Sequence, residues 1–276
     1  MLPNQVLPSL FVPHGAPTFA LRPGAAGAAL VRAAASLPRP RAVIIVSAHW
    51  DTQQASVGLA SRLETIHDFQ GFPEELYSIQ YPASGCKEAG LEVLARLQAA
   101  GIPAAGDDRR GLDHGAGIPL QLMFPDADVP VIPLSIQSHL GPSHHLSLGR
   151  ALAPLAAEGF LIIASGNLTH SLRDYQLVSA EGKTAPGYVR EFADWIWQRL
   201  EAGDVTGLLD YRSIAPDARR AHPTEEHLLP LYVALGAAGK NYQVERFHAG
   251  IDDYVLAMDA FAFHQGNAQE PMSGLA

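Results

Sequence analysis

A nearly continuous apolar run, AVIIVSA at residues 42–48, indicates the fold class and leads directly into His49 and Trp50. Six of its seven residues are apolar, and they do not alternate with polar ones. A short apolar run of this kind is typical of a strand that is covered on both faces. Such strands occur in parallel sheets that have helices on both sides. The stretch therefore predicts a central strand of an α/β protein, with a histidine at the exit of the strand.

Strand-like and helix-like stretches alternate along the rest of the chain. Further strands are predicted at 6–12, 129–136, 160–165, 242–247 and 254–263, and helices at 27–35, 87–100, 114–123, 144–157, 188–202 and 224–235. The last helix is placed by the segment 223–226, PTEE, because proline before a first turn and acids within it favour a helix start. The alternation predicts a single-domain α/β three-layer sandwich, in which helices flank a central, mostly parallel or mixed sheet.

Neither a repeat nor a low-complexity linker divides the 276 residues. We therefore expect one catalytic α/β domain over residues 1–265 and a flexible C-terminal tail over residues 266–276, whose sequence GNAQEPMSGLA has no apolar period. The first residues, MLPNQVLPSLFVPHG, lack a basic segment and contain three prolines, so they do not resemble a signal peptide.

The composition argues against several classes of protein. A formal net charge of −9 disfavours binding to the phosphate backbone of nucleic acid. No stretch approaches the roughly 18 apolar residues of a membrane span. The single cysteine, Cys86, excludes an internal disulfide and a thiolate-rich zinc site and points to a reducing compartment. We expect a cytoplasmic protein without nucleic-acid or membrane partners, and homo-oligomer formation is left open.

Histidines are concentrated in short motifs, and there are 12 of them against 19 lysines and arginines together. His14, His49 and His170 each follow a predicted strand, and ligands of α/β folds gather beyond the carboxyl ends of strands. His114 begins a predicted helix, and His222 precedes one. Because imidazole is the commonest metal ligand among side chains, the five histidines predict a metal or catalytic site.

Each of these positions also has a purely structural interpretation. A histidine in a loop can bind backbone groups, and Trp50 is either the wall of an aromatic pocket or part of the core. Glu226, four residues after His222, completes a histidine–carboxylate pair or, as the pattern favours, complements the helix dipole together with Glu225. His227 is assigned a supporting or structural role.

Six short motifs occur in an order that resembles one known family. They are Pro13-His14-Gly15, Ser47-Ala48-His49-Trp50, Leu112-Asp113-His114-Gly115, Pro133-Leu134-Ser135-Ile136, Gly166-Asn167-Leu168-Thr169-His170 and His222-Pro223-Thr224-Glu225-Glu226-His227. Their order resembles the LigB-type (class III) extradiol ring-cleavage dioxygenases, in particular the branch of 4,5-DOPA extradiol dioxygenases. The motifs extend over nearly the whole chain, about residues 5–265.

The resemblance implies a metal site and two catalytic histidines. His14, His49 and His222 are implied as the metal ligands, with Fe²⁺ in active dioxygenases and Zn²⁺ in some relatives. His170 is implied as the acid–base residue, and His114 is implied to lie beside the substrate. The substrates would be a small aromatic diol and O₂, and the reaction would open the ring next to the diol.

One position departs from the family pattern. A bulky residue, often tryptophan, is expected near the position of Gly117, so the glycine predicts a roomier pocket. Gly117 is therefore predicted to contact the substrate. Trp50, as a possible wall of an aromatic pocket, is also predicted to contact it. Three neutral histidines leave the 2+ charge of a metal uncancelled, which favours an anionic diol, and His170 can take up a phenolic proton.

Two other functions are consistent with three metal-binding histidines. The first is a zinc hydrolase, because three histidines and a water form a catalytic zinc site. The second is a non-catalytic binding or scaffold protein with the same fold. His170 and His114 favour the dioxygenase, since a scaffold has no chemical need for them. The chain contains neither a GxSxG motif nor a glycine-rich phosphate loop.

Overall fold

Four parallel strands, one of which contains residues 42–48, form the centre of the main sheet in this computed structural model. Residues 6–181 and 184–266 are described, apart from the side chains of 178–181. The central strands lie in the order β5 (Val131–Ile136), β2 (Ala42–Asp51), β6 (Phe160–Gly166) and β1 (Ser9–Pro13). Their carboxyl ends therefore share one edge of the sheet.

Antiparallel pairing extends the sheet on both sides. Beyond β5 lie β3 (Ala55–Gly58), antiparallel to β5, and β4 (Ala104–Asp107). Beyond β1 lie β10 (Ala260–Gln265) and β7 (Tyr242–His248), each antiparallel to its neighbour. The order is β4-β3-β5-β2-β6-β1-β10-β7, and a separate hairpin joins β8 (Ile251–Asp252) to β9 (Leu256–Ala257). The sheet is mixed, which is one of the two predicted arrangements.

Helices cover both faces of the sheet. The α-helices are α1 Gly24–Ser36, α2 Glu75–Ser78, α3 Lys87–Ala99, α4 His114–Met123, α5 Gly141–Leu152, α6 Leu172–Glu181, α7 Gly187–Glu201, α8 Val205–Leu209, α9 Tyr211–Ile214, α10 Ala218–Ala221 and α11 Leu229–Ala237, and short 3₁₀ turns occupy Pro17–Ala20, Ser138–Leu140 and Ala153–Glu158. Within the described residues, no helix is both long enough and apolar enough to span a bilayer.

The two faces of the sheet belong to two apolar cores. Side chains of α3, α5, α7 and α11 pack on one face, and those of α1 and α4 pack on the other. Neighbours in a strand alternate between them: Val43 lies in the core with α1 and α4, and Ile44 lies in the other. Because both faces are buried, the strand has no polar alternation. The predicted single-domain three-layer α/β sandwich is confirmed.

The start of the last helix was predicted wrongly. The helix begins at Leu229, not at Thr224, and Pro230 lies in its first turn. Residues 223–228 form a turn, in which the Leu228 amide donates to the Glu225 carbonyl. The acids of PTEE therefore belong to that turn. This difference places His227 immediately before the helix and changes which histidine reaches the site.

Several elements were not predicted or differ in extent. The strands β3 and β4 and the helix α6 have no counterpart in the prediction, and the predicted strand 254–263 is divided into β9 and β10. Of the predicted tail 266–276, only Gly266 is described, and its amide donates to the Asn241 carbonyl at 2.6 Å. The remaining tail residues lie outside the described residues, so its flexibility stays a prediction.

Candidate metal centre

The ends of β1 and β2, the two strands on either side of β6, bring His14 and His49 together. His14 follows β1 directly, and His49 lies near the end of β2. Their Nε2 atoms are 3.1 Å apart. The turn after His14 needs glycine, because Gly15 has a φ of +62° and a side chain there would press on Met258 and Phe19. The structure therefore brings these two predicted residues together.

A third imidazole, that of His227, completes the cluster. Its Nε2 lies 3.3 Å from the Nε2 of His49, and its ring centroid is 5.2 Å from that of His14. The turn that carries it docks on the end of β6, where the Asn167 amide donates to the His227 carbonyl at 3.0 Å. A Cβ at Gly166 would lie only 2.1 Å from that carbonyl oxygen. The glycine therefore permits the close approach of the turn.

Hydrogen bonds on the outer sides of His14 and His49 fix their tautomers. Ser165 Oγ donates to the Gly115 carbonyl, so it accepts the hydrogen bond from His14 Nδ1 at 2.9 Å. The Nδ1 of His49 lies 3.2 Å from the Asp68 Oδ2 atom. Since each Nδ1 faces an acceptor, each Nδ1 carries the ring proton. The Nε2 atoms are then bare lone pairs.

The same argument applies to His227. Its Nδ1 donates to the Glu226 carboxylate at 3.1 Å, so its Nε2 also carries no proton. The lone pair of His49 therefore faces those of His14 and His227 with no hydrogen between them, which is repulsive unless a cation lies among them. The two Nε2 separations, 3.1 and 3.3 Å, agree with the roughly 3.0–3.4 Å expected between ligands about 2.1 Å from a metal. The donor set therefore fits a divalent metal.

Burial keeps these imidazoles in the form that binds a metal. Desolvation, followed by repulsion from the neighbouring histidines, lowers the pKa of both His14 and His227 well below the ordinary value. Both side chains are neutral at pH 7, as ligation requires. His114 also offers a ring nitrogen within 4.8 Å of those of His14 and His49. The protein therefore has a candidate site for a metal held by histidines.

His222, which was predicted as a ligand, is not part of this cluster. Its Nε2 donates to the Leu168 carbonyl at 2.7 Å, and a protonated nitrogen cannot ligate a metal. Its Nδ1 is buried and has no hydrogen-bond partner among the described residues. Burial lowers the pKa of His222 to about 4. The turn 223–228 separates it from His227, and it is the latter that faces His49.

His170 lies beside the cluster, as predicted. Its ring stacks on that of His227, with the centroids 3.5 Å apart and the planes inclined by 6°. A ring nitrogen of His170 lies within 4.8 Å of ligand atoms of Glu226 and His227. Burial lowers the pKa of His170 to about 4, so the imidazole is neutral at pH 7. It is placed to accept a proton near the cluster.

His114 is bound by Asp68, a residue that the sequence analysis missed. The Asp68 Oδ1 atom accepts from both the backbone amide of His114, at 3.0 Å, and its Nδ1, at 2.9 Å. The other oxygen faces His49, so one carboxylate contacts two imidazoles. Although burial opposes it, hydrogen bonds from these histidines hold the pKa of Asp68 below its usual range. No local pattern marks Asp68, because only the fold brings its loop to the site.

An apolar cleft begins at His114 and encloses a volume of about 30 Å³. Its walls include Phe69, Leu76, Ile79, Tyr81, Gly117 and Ile118. Gly117 lines it as predicted, and a Cβ at this position would meet no atom within 4 Å. The structure therefore places an apolar cleft, partly open to solvent, beside the histidines.

Trp50 does not line this cleft. It follows His49 in β2, and neighbouring residues of a strand point to opposite faces. The guanidinium of Arg110 lies 5.1 Å from the centroid of its ring, which is buried. The geometry gives Trp50 a packing role. Because Trp50 does not line the cleft, the cleft does not support its predicted contact with the substrate.

Comparisons with known proteins agree with this geometry. The family model described as the catalytic LigB subunit of aromatic ring-opening dioxygenase matches residues 25–256. A protein of Beta vulgaris named 4,5-DOPA dioxygenase extradiol is 39% identical over 264 residues, which are 94% of this chain and 97% of the relative. A protein of the same name from Escherichia coli K12 is 36% identical, over 84% of this chain and 85% of its own.

A solved structure shares the whole architecture. The crystal structure of an uncharacterized protein from Escherichia coli K12 superposes with a TM-score of 0.75 and 28% sequence identity. The match covers 93% of this chain and 99% of that one.

Proposed function

Because the chain belongs to the LigB family of aromatic ring-opening dioxygenases, we propose that it opens the ring of a catechol with O₂ as an iron(II)-dependent extradiol enzyme. One observation carries the proposal: the Nε2 atoms of His14 and His227 both lie within 3.3 Å of that of His49, whose ring adjoins His114 at the start of an apolar cleft. Membership of this family and the similarity to named extradiol dioxygenases also favour the enzyme over the zinc hydrolase and the scaffold protein.

The proposed ligands are His14, His49 and His227. These three residues would hold an iron(II) ion and would leave positions on it for a bidentate diol and for O₂. When bound, the metal supplies electron transfer between the diol and O₂. We propose Fe²⁺ as the active ion and Zn²⁺ as an inactive occupant of the same histidines. His227 replaces His222 in the predicted set, since the Nε2–H group of His222 already donates a hydrogen bond to the Leu168 carbonyl.

His170 and His114 have separate proposed roles. His170 is neutral at pH 7, so a ring nitrogen can take a proton from a diol hydroxyl and return it later in the reaction. His114 donates its Nδ1 proton to Asp68, which leaves its Nε2 atom as an acceptor for the second hydroxyl. Phe69 meets the His114 ring edge-on, with the centroids 5.7 Å apart, and holds one side of that imidazole.

The other parts of the proposal concern partners and location. We propose a cytoplasmic protein that binds a small aromatic diol and O₂, and neither nucleic acid nor a membrane. The single cysteine and the net charge of −9 support this proposal. Homo-oligomer formation stays a prediction, which the mass of the protein in solution would test.

The function is tested by loading the protein with Fe²⁺ under anaerobic conditions and then adding a catechol and oxygen. We expect one O₂ to be consumed for each catechol and a yellow ring-opened product to form. The zinc-loaded protein is the control and should bind the catechol without consuming oxygen. Iron-loaded protein that consumes no oxygen with any catechol would contradict the proposal.

The ligand set is tested by a matched pair of substitutions. His227→Ala should lose stoichiometric iron or zinc, because it removes one of three lone pairs. His222→Gln should retain the metal, because the side chain of His222 donates a hydrogen bond to the Leu168 carbonyl and is not a proposed ligand. Elemental analysis of both folded variants decides between the two histidines. Metal retained by His227→Ala and lost by His222→Gln would restore the assignment made from the sequence.

A further inference from the structure

We propose that the cleft beside His114 selects catechols with an uncharged, apolar substituent over catechols whose side chain carries a carboxylate or an ammonium group. The inference rests on the proposed ring-opening function and names its substrate class. It follows from what the walls of the cleft offer to a substituent once the diol faces the histidines.

The walls are apolar along their length. Phe69 lies at the head of the cleft beside His114, and the side chains of Leu76, Ile79 and Ile118 follow. Phe69 itself packs edge-on against Phe72, with the centroids 5.6 Å apart, which keeps its ring in place. A buried alkyl or aryl substituent gains roughly 25 cal/mol for each Å² removed from water. The cleft thus favours the binding of catechols with apolar substituents.

Most polar groups in the walls already have partners. The Tyr81 hydroxyl donates to the Phe124 carbonyl at 2.9 Å, so it presents its ring and not its hydroxyl. The His67 Nε2 atom donates to the Ile79 carbonyl at 3.0 Å. The Gln121 amide, by contrast, makes no hydrogen bond to any residue that the structure describes. It is a neutral group and cannot balance a charge.

A charged substituent finds no counter-ion here. Among the residues that the structure describes, neither lysine nor arginine lines the cleft. Arg110, four residues before His114, binds Asp113, and Arg22 lines a separate depression with Asp252 and Asp253. A carboxylate in the cleft would lose its water without an ion pair, which is strongly unfavourable.

The carboxylate at the head of the cleft does not help an ammonium group. Asp68 already accepts the amide and the Nδ1 proton of His114 and faces the Nδ1 of His49. A substituent ammonium would have to displace one of these contacts and disturb the two imidazoles. Asp68 also repels a substituent carboxylate through its own charge. Both charged groups of an amino-acid substituent, its carboxylate and its ammonium group, are therefore disfavoured.

Gly117 adds to the selection by size. It lies three residues after His114 on the same face of α4, and its missing side chain leaves open space. Gln121 follows four residues later on that face. The room beyond the diol thus lies along α4, so an uncharged substituent of several carbons can extend there without meeting a side chain at position 117.

The test compares two catechols of equal chain length on the iron-loaded full-length protein. These are 4-propylcatechol and 3-(3,4-dihydroxyphenyl)propanoate, and L-DOPA is the third compound. We expect kcat/KM for the propyl compound to exceed that for the propanoate and for L-DOPA by at least about tenfold. A propanoate or L-DOPA that reacts as fast as the propyl compound would overturn the inference and leave the ring-opening function standing.

A binding measurement separates this inference from the reaction. The same compounds are titrated into the zinc-loaded protein, and the dissociation constants are compared by calorimetry. If no catechol is opened, the proposed function fails, but tighter binding of the propyl compound would still support the selectivity. Equal or weaker binding of the propyl compound would overturn it.

A charge introduced into the wall should reverse the preference. In Gln121→Arg, a cation near the open space should raise the ratio of propanoate to propyl kcat/KM by about tenfold or more. Gln121→Met, which has a neutral side chain of similar length, is the control and should leave that ratio below one. A ratio that is the same in both variants would contradict the role assigned to charge.

Discussion

Asp68 contacts His49, a proposed metal ligand, and His114, which is proposed to lie beside the substrate, through its two oxygens. In Asp68→Asn only one amide oxygen remains to accept, so one of the two imidazoles loses its partner. We expect metal affinity to fall by about 10–100-fold, as with other residues that orient metal-binding histidines. Competition with a chelator measures the affinity, and ¹⁵N NMR of the histidine rings measures the tautomers.

The control for this substitution is Glu226→Gln. Glu226 contacts the Nδ1 of His227 but not that of His114. Metal affinity should fall in this variant too, whereas the tautomer of His114 should change only in Asp68→Asn. Unchanged affinity and an unchanged His114 spectrum in Asp68→Asn would show that the carboxylate does not position these rings.

His170 tests whether proton transfer and metal binding are separate. We expect His170→Gln to lower turnover by about 10²–10⁴-fold, because glutamine cannot take up the diol proton. Metal content should not change, since the ring stacks on His227 without occupying the convergence of lone pairs. His114→Gln is the comparison. Loss of metal together with activity in His170→Gln would make His170 a ligand.

At the scale of the element, the first turn of α4 is tied to the end of β2. The Asp113 side chain caps the helix by accepting from the Ala116 amide at 3.0 Å, and it accepts from Ser47 Oγ at 2.6 Å. A Cβ at Gly115 would lie 2.7 Å from both His49 Cδ2 and Ser47 Oγ. The glycine lets the helix approach the metal centre this closely.

Two glycines of α4 should respond in opposite ways to alanine. Gly117→Ala should raise the free energy of unfolding by about 0.5–1 kcal/mol, because alanine favours the helix and its Cβ meets no atom. Gly115→Ala should lower it and weaken metal binding, because the Cβ displaces His49. Denaturant unfolding measures both. Equal effects would mean that α4 does not press on the site.

The connection from β5 to α5 should make the fold sensitive to acid. The His145 Nδ1 donates to the Gly141 carbonyl, and its Nε2 accepts from the Gln137 amide at 3.1 Å, so a proton on Nε2 would break that bond. Burial lowers the pKa of His145 from 6.5 to about 4. The stability from the neutral ring is therefore present above pH 6.5 and lost as the pH falls towards 4, up to about 3 kcal/mol.

His145→Gln should flatten this part of the stability profile, since glutamine does not titrate between pH 7 and 4. His139→Gln is the comparison: His139 is exposed in the same connection and only a minor cause of the lowered His145 pKa, so this change should alter the profile much less. Urea unfolding at a series of pH values measures the free energies. A profile with the same slope in His145→Gln would assign the acid sensitivity to other groups.

At the scale of the whole molecule, the mixed sheet determines where the site can lie. The four central strands are parallel, and the carboxyl ends of β1, β2 and β6 meet at one edge. Of the outer strands, β3, β10 and β7 join the sheet by antiparallel pairing and β4 pairs parallel with β3, and none of the four carries a clustered histidine. Ligands of such sheets gather at the carboxyl edge, and this fold follows the rule.

The sequence by itself determined the central strands, the α/β class and the positions of His14, His49, His114 and His170 near one site. These follow from local properties: uninterrupted apolar runs mark strands buried on both faces, and a residue just past such a strand must lie at its carboxyl edge. The helix at 114–123 was predicted with the bounds that the structure has. Helical periodicity and helix capping depend on residues that are close together in the sequence, so they can be predicted from it.

Only the tertiary structure decided which of His222 and His227 reaches the cluster and that Asp68 holds two imidazoles. Both histidines lie in one short segment with a helix-start pattern, and the choice depends on where Pro230 lets α11 begin and on the close approach allowed by Gly166. Asp68 lies 46 residues from His114 in the chain. Contacts between residues that are distant in the chain arise from packing, and the sequence of a short segment does not specify which other segment will pack against it.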